Sequence, residues 1–112
     1  MKDNEFQSYV LDLMQVIGPV KGRKMFGGYG LFLDRVMFAL IADDVLYLKA
    51  DSETSKKFDE FGLLPFVYNK KGKDVIMSYY QAPDTALEDS EVMQVWADMA
   101  YETAIKAASK KK

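Results

Sequence analysis

Arg23-Lys24-Met25-Phe26-Gly27-Gly28-Tyr29-Gly30-Leu31-Phe32 is the stretch whose reading decides the fold. Three of the chain's seven glycines and three aromatic residues fall within it, next to a basic cluster. Glycine reaches positive φ and lets another backbone come close, so a Gly-Gly-x-Gly run among strand-forming residues marks a bulge, a corner or a contact surface. The reading is a structural corner at Gly27-Gly28 between two antiparallel strands, Met25-Phe26 and Tyr29–Leu33. Phe26 and Phe32 are then expected in the core and Tyr29 more exposed.

Before this stretch the chain reads as one helix. Phe6, Tyr9, Val10, Leu13, Met14 and Ile17 recur at helical spacing and predict a core-facing stripe. Asp3 or Asn4 caps the start, and Gly18-Pro19 supplies the stop. After it come short strands. Asp34-Arg35 is a tight turn into Val36–Ala42, whose continuous apolar run suits a central strand. Asp43-Asp44 turns the chain into Val45–Lys49, because aspartate tolerates left-handed backbone. If Asp34-Arg35 forms a type I′ turn, Arg35 takes positive φ at a cost of about 1 kcal/mol.

Asp51 or Ser52 caps a second helix that runs to about Phe61, with Phe58 and Phe61 on one face and Gly62 closing it. A strand opening at Pro65 turns at Lys70-Lys71-Gly72-Lys73 and returns through Val75–Tyr80. Asp89 or Ser90 caps a long last helix whose buried stripe is Met93, Trp96, Ala97, Ala100, Ala104 and Ala108. The order α-β(4)-α-β(2)-α predicts an α+β domain in two layers, an antiparallel sheet of five to six strands with helices on one face. Residues 1–109 form the single domain and residues 110–112 a basic tail. Strand alternation sends aromatics to both faces, and self-association into a homodimer is the simplest cover for the second.

Composition narrows the function. The net charge is −2, with neither histidine nor cysteine in the chain. Without them the usual catalytic triads, cysteine nucleophiles and zinc sites are ruled out, so no enzymatic role, cofactor or metal is expected. No apolar run spans a bilayer and no leader is evident, so the expected location is the cytoplasm. Gly22-x-x-x-x-Gly27 is not followed by the Lys-Ser/Thr of a phosphate loop, and Gly28-Tyr29-Gly30 lacks the third glycine of a dinucleotide fingerprint. The acids from Asp84 to Glu102 fit helix N-termini better than a metal site.

Two basic clusters remain, Lys21, Arg23 and Lys24, and Lys70, Lys71 and Lys73. Each reads either as an anion-binding patch or as a solvated strand edge protected by lysine. The candidate interaction surface is therefore Arg23, Lys24, Gly27, Gly28, Tyr29, Lys70, Lys71 and Lys73.

These residues also carry a resemblance. The run from Arg23 to Phe32, Met37–Ile41, Leu46–Lys49, Pro65–Tyr68, Met77–Tyr80 and Trp96-Ala97 resembles the N-terminal domain of the TfoX/Sxy family across nearly the whole chain. The resemblance implies a bacterial α+β domain from regulators that switch on natural competence genes alongside a cyclic-AMP receptor protein. It brings no catalytic residues with it. The expected role is a protein-interaction module in transcriptional regulation, as a stand-alone relative without the regulators' C-terminal domain. The alternative is direct nucleic-acid binding through the clusters around Arg23 and Lys71, which the net acidity disfavours, and a third, less favoured reading is an enzyme that works with carboxylates or lysine.

Overall fold

A computed structural model describes residues 3–25 and 28–110. Helix α1 spans Asp3–Met14 and ends in a 3-10 turn, Gln15–Ile17. The strands are β1 (Lys21–Met25), β2 (Gly28–Leu33), β3 (Val36–Ala42), β4 (Val45–Lys49), β5 (Pro65–Lys70) and β6 (Lys73–Gln81). Helix α2 (Thr54–Glu60) lies between β4 and β5, and α3 (Asp84–Glu88) and α4 (Ser90–Lys110) follow β6. The six strands form one antiparallel sheet in the order β1-β2-β3-β4-β6-β5. The α+β architecture with its six-stranded sheet matches the expectation, and the short α3 was not foreseen.

Local chemistry sets the connections. Asp34 and Arg35 have φ of 50° and 68°, Asp43 and Asp44 have 50° and 59°, and Lys71 and Gly72 have 52° and 81°. Two consecutive left-handed residues are the type I′ geometry whose twist matches paired strands. At the start of α2, Asp51 Oδ1 accepts from the backbone N–H of Glu53 and Thr54 at 2.9 and 2.8 Å. The Thr54 hydrogen bond is the main cause that holds the Asp51 carboxyl below its ordinary pKa. Gly62, at φ 71°, closes this helix. Its N–H donates to the Asp59 carbonyl while the Leu63 N–H donates to that of Phe58, the paired bonds of a Schellman ending. Asp89 Oδ1 caps α4 through the N–H of Glu91 at 2.8 Å.

The main core lies between the helices and one face of the sheet. Val10 and Met14 of α1, Phe58 of α2, Ala86 of α3 and Met93, Ala97 and Ala100 of α4 meet Leu31, Ile41, Leu46 and Leu48 there. Small residues let α4 lie close over β3 and β4. One irregularity decides which strand residues take part. Leu31 pairs with Ala39 but Phe32 pairs with Met37, so Phe38 is an extra residue on β3. At such a bulge two neighbouring side chains share a face. Phe38 and Ala39 are both fully buried against the helices, with the Phe38 ring edge-on to Tyr101 of α4 at 5.8 Å.

Several expectations are corrected. The first strand is Lys21–Met25, not Met25-Phe26, because the basic stretch itself forms the edge of the sheet. Phe32 is only half-buried and lies away from the helices, whereas Tyr29 packs partly buried against the main core. The bulge puts Phe32 level with Met37, and Tyr29 shares the face of Ile41. Phe26 and Gly27, and with them half of the expected corner, lie outside the described residues. Phe61 is 60% exposed because Gly62 ends the helix beside it, though its ring still meets Trp96 at 5.3 Å. Tyr9 is 45% exposed, and its hydroxyl donates to the Leu87 carbonyl across to α3. Ala108 is exposed, since the main core against α4 ends at Ala104.

Gly28 needs its missing side chain for a different reason from the one expected. Its φ is not in the left-handed region, but a Cβ there would lie 2.0 Å from the Ile41 carbonyl oxygen of β3. Gly28→Ala therefore forces the two backbones apart. Overpacking of this kind costs about 1–3 kcal/mol, and each kcal/mol lowers the melting temperature of a domain near this size by about 4–8 °C. Thermal melts should show that loss for Gly28→Ala. An unchanged melting temperature would contradict the close approach.

Candidate functional site

The face of the sheet turned away from the helices carries the chain's uncommitted chemistry. Among the described residues two buried apolar ones stand outside the main core, Leu40 at 6% and Tyr79 at 8% exposure, and both lie on this face. Burial pushes the Tyr79 phenol above its ordinary pKa. Half-buried Met25, Phe32, Met37, Tyr47 and Phe66 surround them. Tyr47 and Phe66 are in ring contact at 4.9 Å. Met25 from one edge strand and Phe66 from the other line the same small cleft as Leu40, so the sheet curls and this face is concave.

Gly30 is the floor of that concavity. A Cβ there would lie 2.5 Å from Met25 Sδ, 3.1 Å from Phe32 Cε1 and 3.2 Å from Met37 Sδ. The glycine lets two thioethers and a phenyl ring close over the strand. Thioethers are flexible and polarizable, which suits a surface that adapts to a partner.

The basic residues distribute by strand alternation. Lys21 and Arg23 pair with Phe32 and Gly30 and share the open face. With Phe32, Asp34 and Arg35 they line a hollow of about 680 Å³, open to solvent. Gly22, between them, faces α1, where a Cβ would lie 2.7 Å from Gln7 Nε2. Lys24 alternates onto that same side and is not part of the hollow. Asp34 accepts from the Tyr101 hydroxyl at 3.4 Å, and burial, then the Asp34 charge, raises the Tyr101 pKa.

Of the sequence candidates, only Arg23 lies in this hollow, and Gly28 and Tyr29 line the neighbouring cleft. Gly27 is outside the described residues. Lys70 and Lys73 pair across the tip of the β5–β6 hairpin, with Lys71 in the turn. That hairpin and β1 are the two outermost strands of the sheet, and the hollow that holds Lys21 and Arg23 includes none of the hairpin lysines. Arg35, Phe32, Met25 and Met37 were missed as site residues. Their grouping depends on cross-strand register, which no short motif carries.

Among the described residues no group of three His, Cys, Asp or Glu side chains is placed to hold a metal ion. No helix there is long and apolar enough to cross a membrane.

Comparison with known proteins identifies the family. The model of the TfoX N-terminal domain matches residues 12–104. The chain belongs to the TfoX N-terminal domain family. It is 32% identical over 73 residues to the DNA transformation protein TfoX1 of Aliivibrio fischeri, covering 65% of this chain and 35% of that one. It is 32% identical over 83 residues to the DNA transformation protein TfoX of Haemophilus influenzae, covering 73% and 38%. Protein Sxy of Escherichia coli is 24% identical over 98 residues, covering 88% and 47%. The chain thus spans less than half the length of these relatives.

The Asp34-Arg35 turn isolates one conformational cost beside the hollow of this TfoX N-terminal domain. Arg35 sits at φ 68°, where glycine is unstrained. Arg35→Gly should raise stability by about 1 kcal/mol, or the melting temperature by about 4–8 °C. Calorimetry showing a lower melting temperature would mean that the Arg35 side chain stabilises the fold.

Proposed function

We propose that this chain is a non-enzymatic interaction module that acts in the cytoplasm to regulate genes for DNA transformation by docking a protein partner on its open sheet face. The single observation that carries the reading is the concave, methionine-rich face around Gly30. Met25, Met37 and Phe32 close over a glycine there, and the helices pack on the other side apart from the C-terminal end of α4, where Ala104 and Ala107 border a hollow with Met37 and Tyr79. Half-buried apolar surface that no helix covers is a place for a protein partner to pack. The names of the relatives, DNA transformation proteins in two cases, supply the regulatory context.

Charge supports a protein partner over direct reading of a duplex. A net charge of −2 makes a poor match to a long phosphate backbone. The cations beside the face favour a partner with acidic residues around an apolar centre, as at a polar interface rim.

Met37→Lys tests this reading, because Met37 is half-buried on the open face and the change puts a charge in the docking surface. In a competence-capable bacterium lacking its own copy, the wild-type chain should activate a reporter fused to a DNA-uptake promoter. The variant should return the reporter to background while melting within a few degrees of wild type, a cost of about 1 kcal/mol or less. If wild type sediments as a dimer and the variant as a monomer, the partner on this face is a second copy. A folded variant that activates fully would overturn the reading.

A further inference from the structure

We infer that the hollow beside β1 binds a nucleoside phosphate, its phosphate held by Arg23, Arg35 and Lys21 and its base laid against Phe32. Local charge sets this hollow apart. The chain is net acidic, yet the hollow gathers three cations against one carboxylate, Asp34. All three cationic residues are exposed, and among the described residues none has an ion-pair partner. The one carboxylate already accepts from Tyr101. The positive charge is therefore left to an anion from solution.

Geometry narrows the anion. Lys21 and Arg23 stand two residues apart on one face of an edge strand, and the β2–β3 turn brings Arg35 to the same hollow. Guanidinium groups present forked donors that match phosphate oxygens, and a lysine adds a point charge. Arg35 holds left-handed backbone at a turn position where glycine is the unstrained choice, and side chains kept under strain concentrate at functional sites. Phe32, half-buried in the same hollow, offers an apolar aromatic wall that a bare inorganic anion does not use. Aromatic rings beside cations are how proteins hold nucleotides without reading sequence. At about 680 Å³ the hollow is larger than phosphate alone requires and has the size of a small-molecule site.

The same chemistry is supplied by a free mononucleotide or by one nucleotide of a single strand. It does not depend on the protein-docking reading. Its test is direct binding with purified protein, so failure here leaves the reporter experiment unaffected.

The probes are deoxyadenosine 5′-monophosphate, an oligodeoxyadenylate of about ten nucleotides and inorganic phosphate, titrated calorimetrically at about 50 and 200 mM salt. The nucleotide probes should saturate with dissociation constants below about 1 mM. Arg23→Gln and Arg35→Gln should each weaken them about tenfold. Phe32→Leu should weaken both nucleotide probes about tenfold and leave inorganic phosphate unchanged. Circular dichroism melts confirm that each variant is folded. Equal affinity for monomer and oligomer identifies a free mononucleotide. Tighter oligomer binding that weakens steeply with salt identifies the single strand. Absence of saturable nucleotide binding, or binding unaffected by all three substitutions, overturns the inference.

Discussion

The extra residue in β3 is the constraint on which the two faces of this sheet depend. Strand side chains alternate, so a single register shift exchanges what is buried and what is exposed. Because Phe38 has no partner of its own on β2, Ala39 stays level with Leu31 while Met37 stays level with Phe32. Phe38 and Ala39 then both face the helices, where Phe38 meets Tyr101. Met37 and Leu40 fall on the opposite side. A regular β3 could not send both Phe38 and Ile41 to the core while keeping both Met37 and Leu40 on the open face.

Two glycines make the same arrangement sterically available. Gly28 lets β2 approach the Ile41 carbonyl, and Gly30 lets side chains close over the strand. Neither has the positive φ usually invoked for glycine. Their role is absence of volume, on a sheet whose curl brings Met25 and Phe66 to one cleft. Backbone packing and the candidate site thus meet within one short segment. The glycines permit the concave face, β1 edges it with cations, and the β2–β3 turn adds Arg35 at a conformational cost. The TfoX N-terminal domain keeps its compact aromatic core, Phe58 with Tyr80 and Trp96, on the other side of the sheet.

Much of the fold was legible because its signals are local. Asp43-Asp44 turns by its own backbone preference, Asp51 and Asp89 cap the residues just after them, and Gly62 stops α2. The apolar run of β3 marked a strand buried from both sides. The faces were not legible in the same way. Phe32 and Tyr29 exchanged their expected faces because alternation along β2 gives the core side to Tyr29, Leu31 and Leu33. Phe61 left the core because its helix ended a residue too soon, and Tyr9 became a tie to α3. The site was legible only in its basic residues. Arg23 was visible as part of a cluster, but its neighbours Phe32 and Arg35 are brought to it by hairpin pairing. The lysines of the β5–β6 tip look alike in sequence and lie on the opposite edge.

The account's central claim is that one face of the sheet is sealed by helices while the other is left open and rich in methionine. Methyl-labelled methionine NMR with a soluble paramagnetic agent measures this directly. Met14 and Met93 are fully buried, whereas Met25 and Met37 are half-buried on the open face. The methyl signals of Met25 and Met37 should broaden strongly as the agent is added, while those of Met14 and Met93 stay sharp. Equal protection of all four methyl groups in the monomeric protein would contradict an open face.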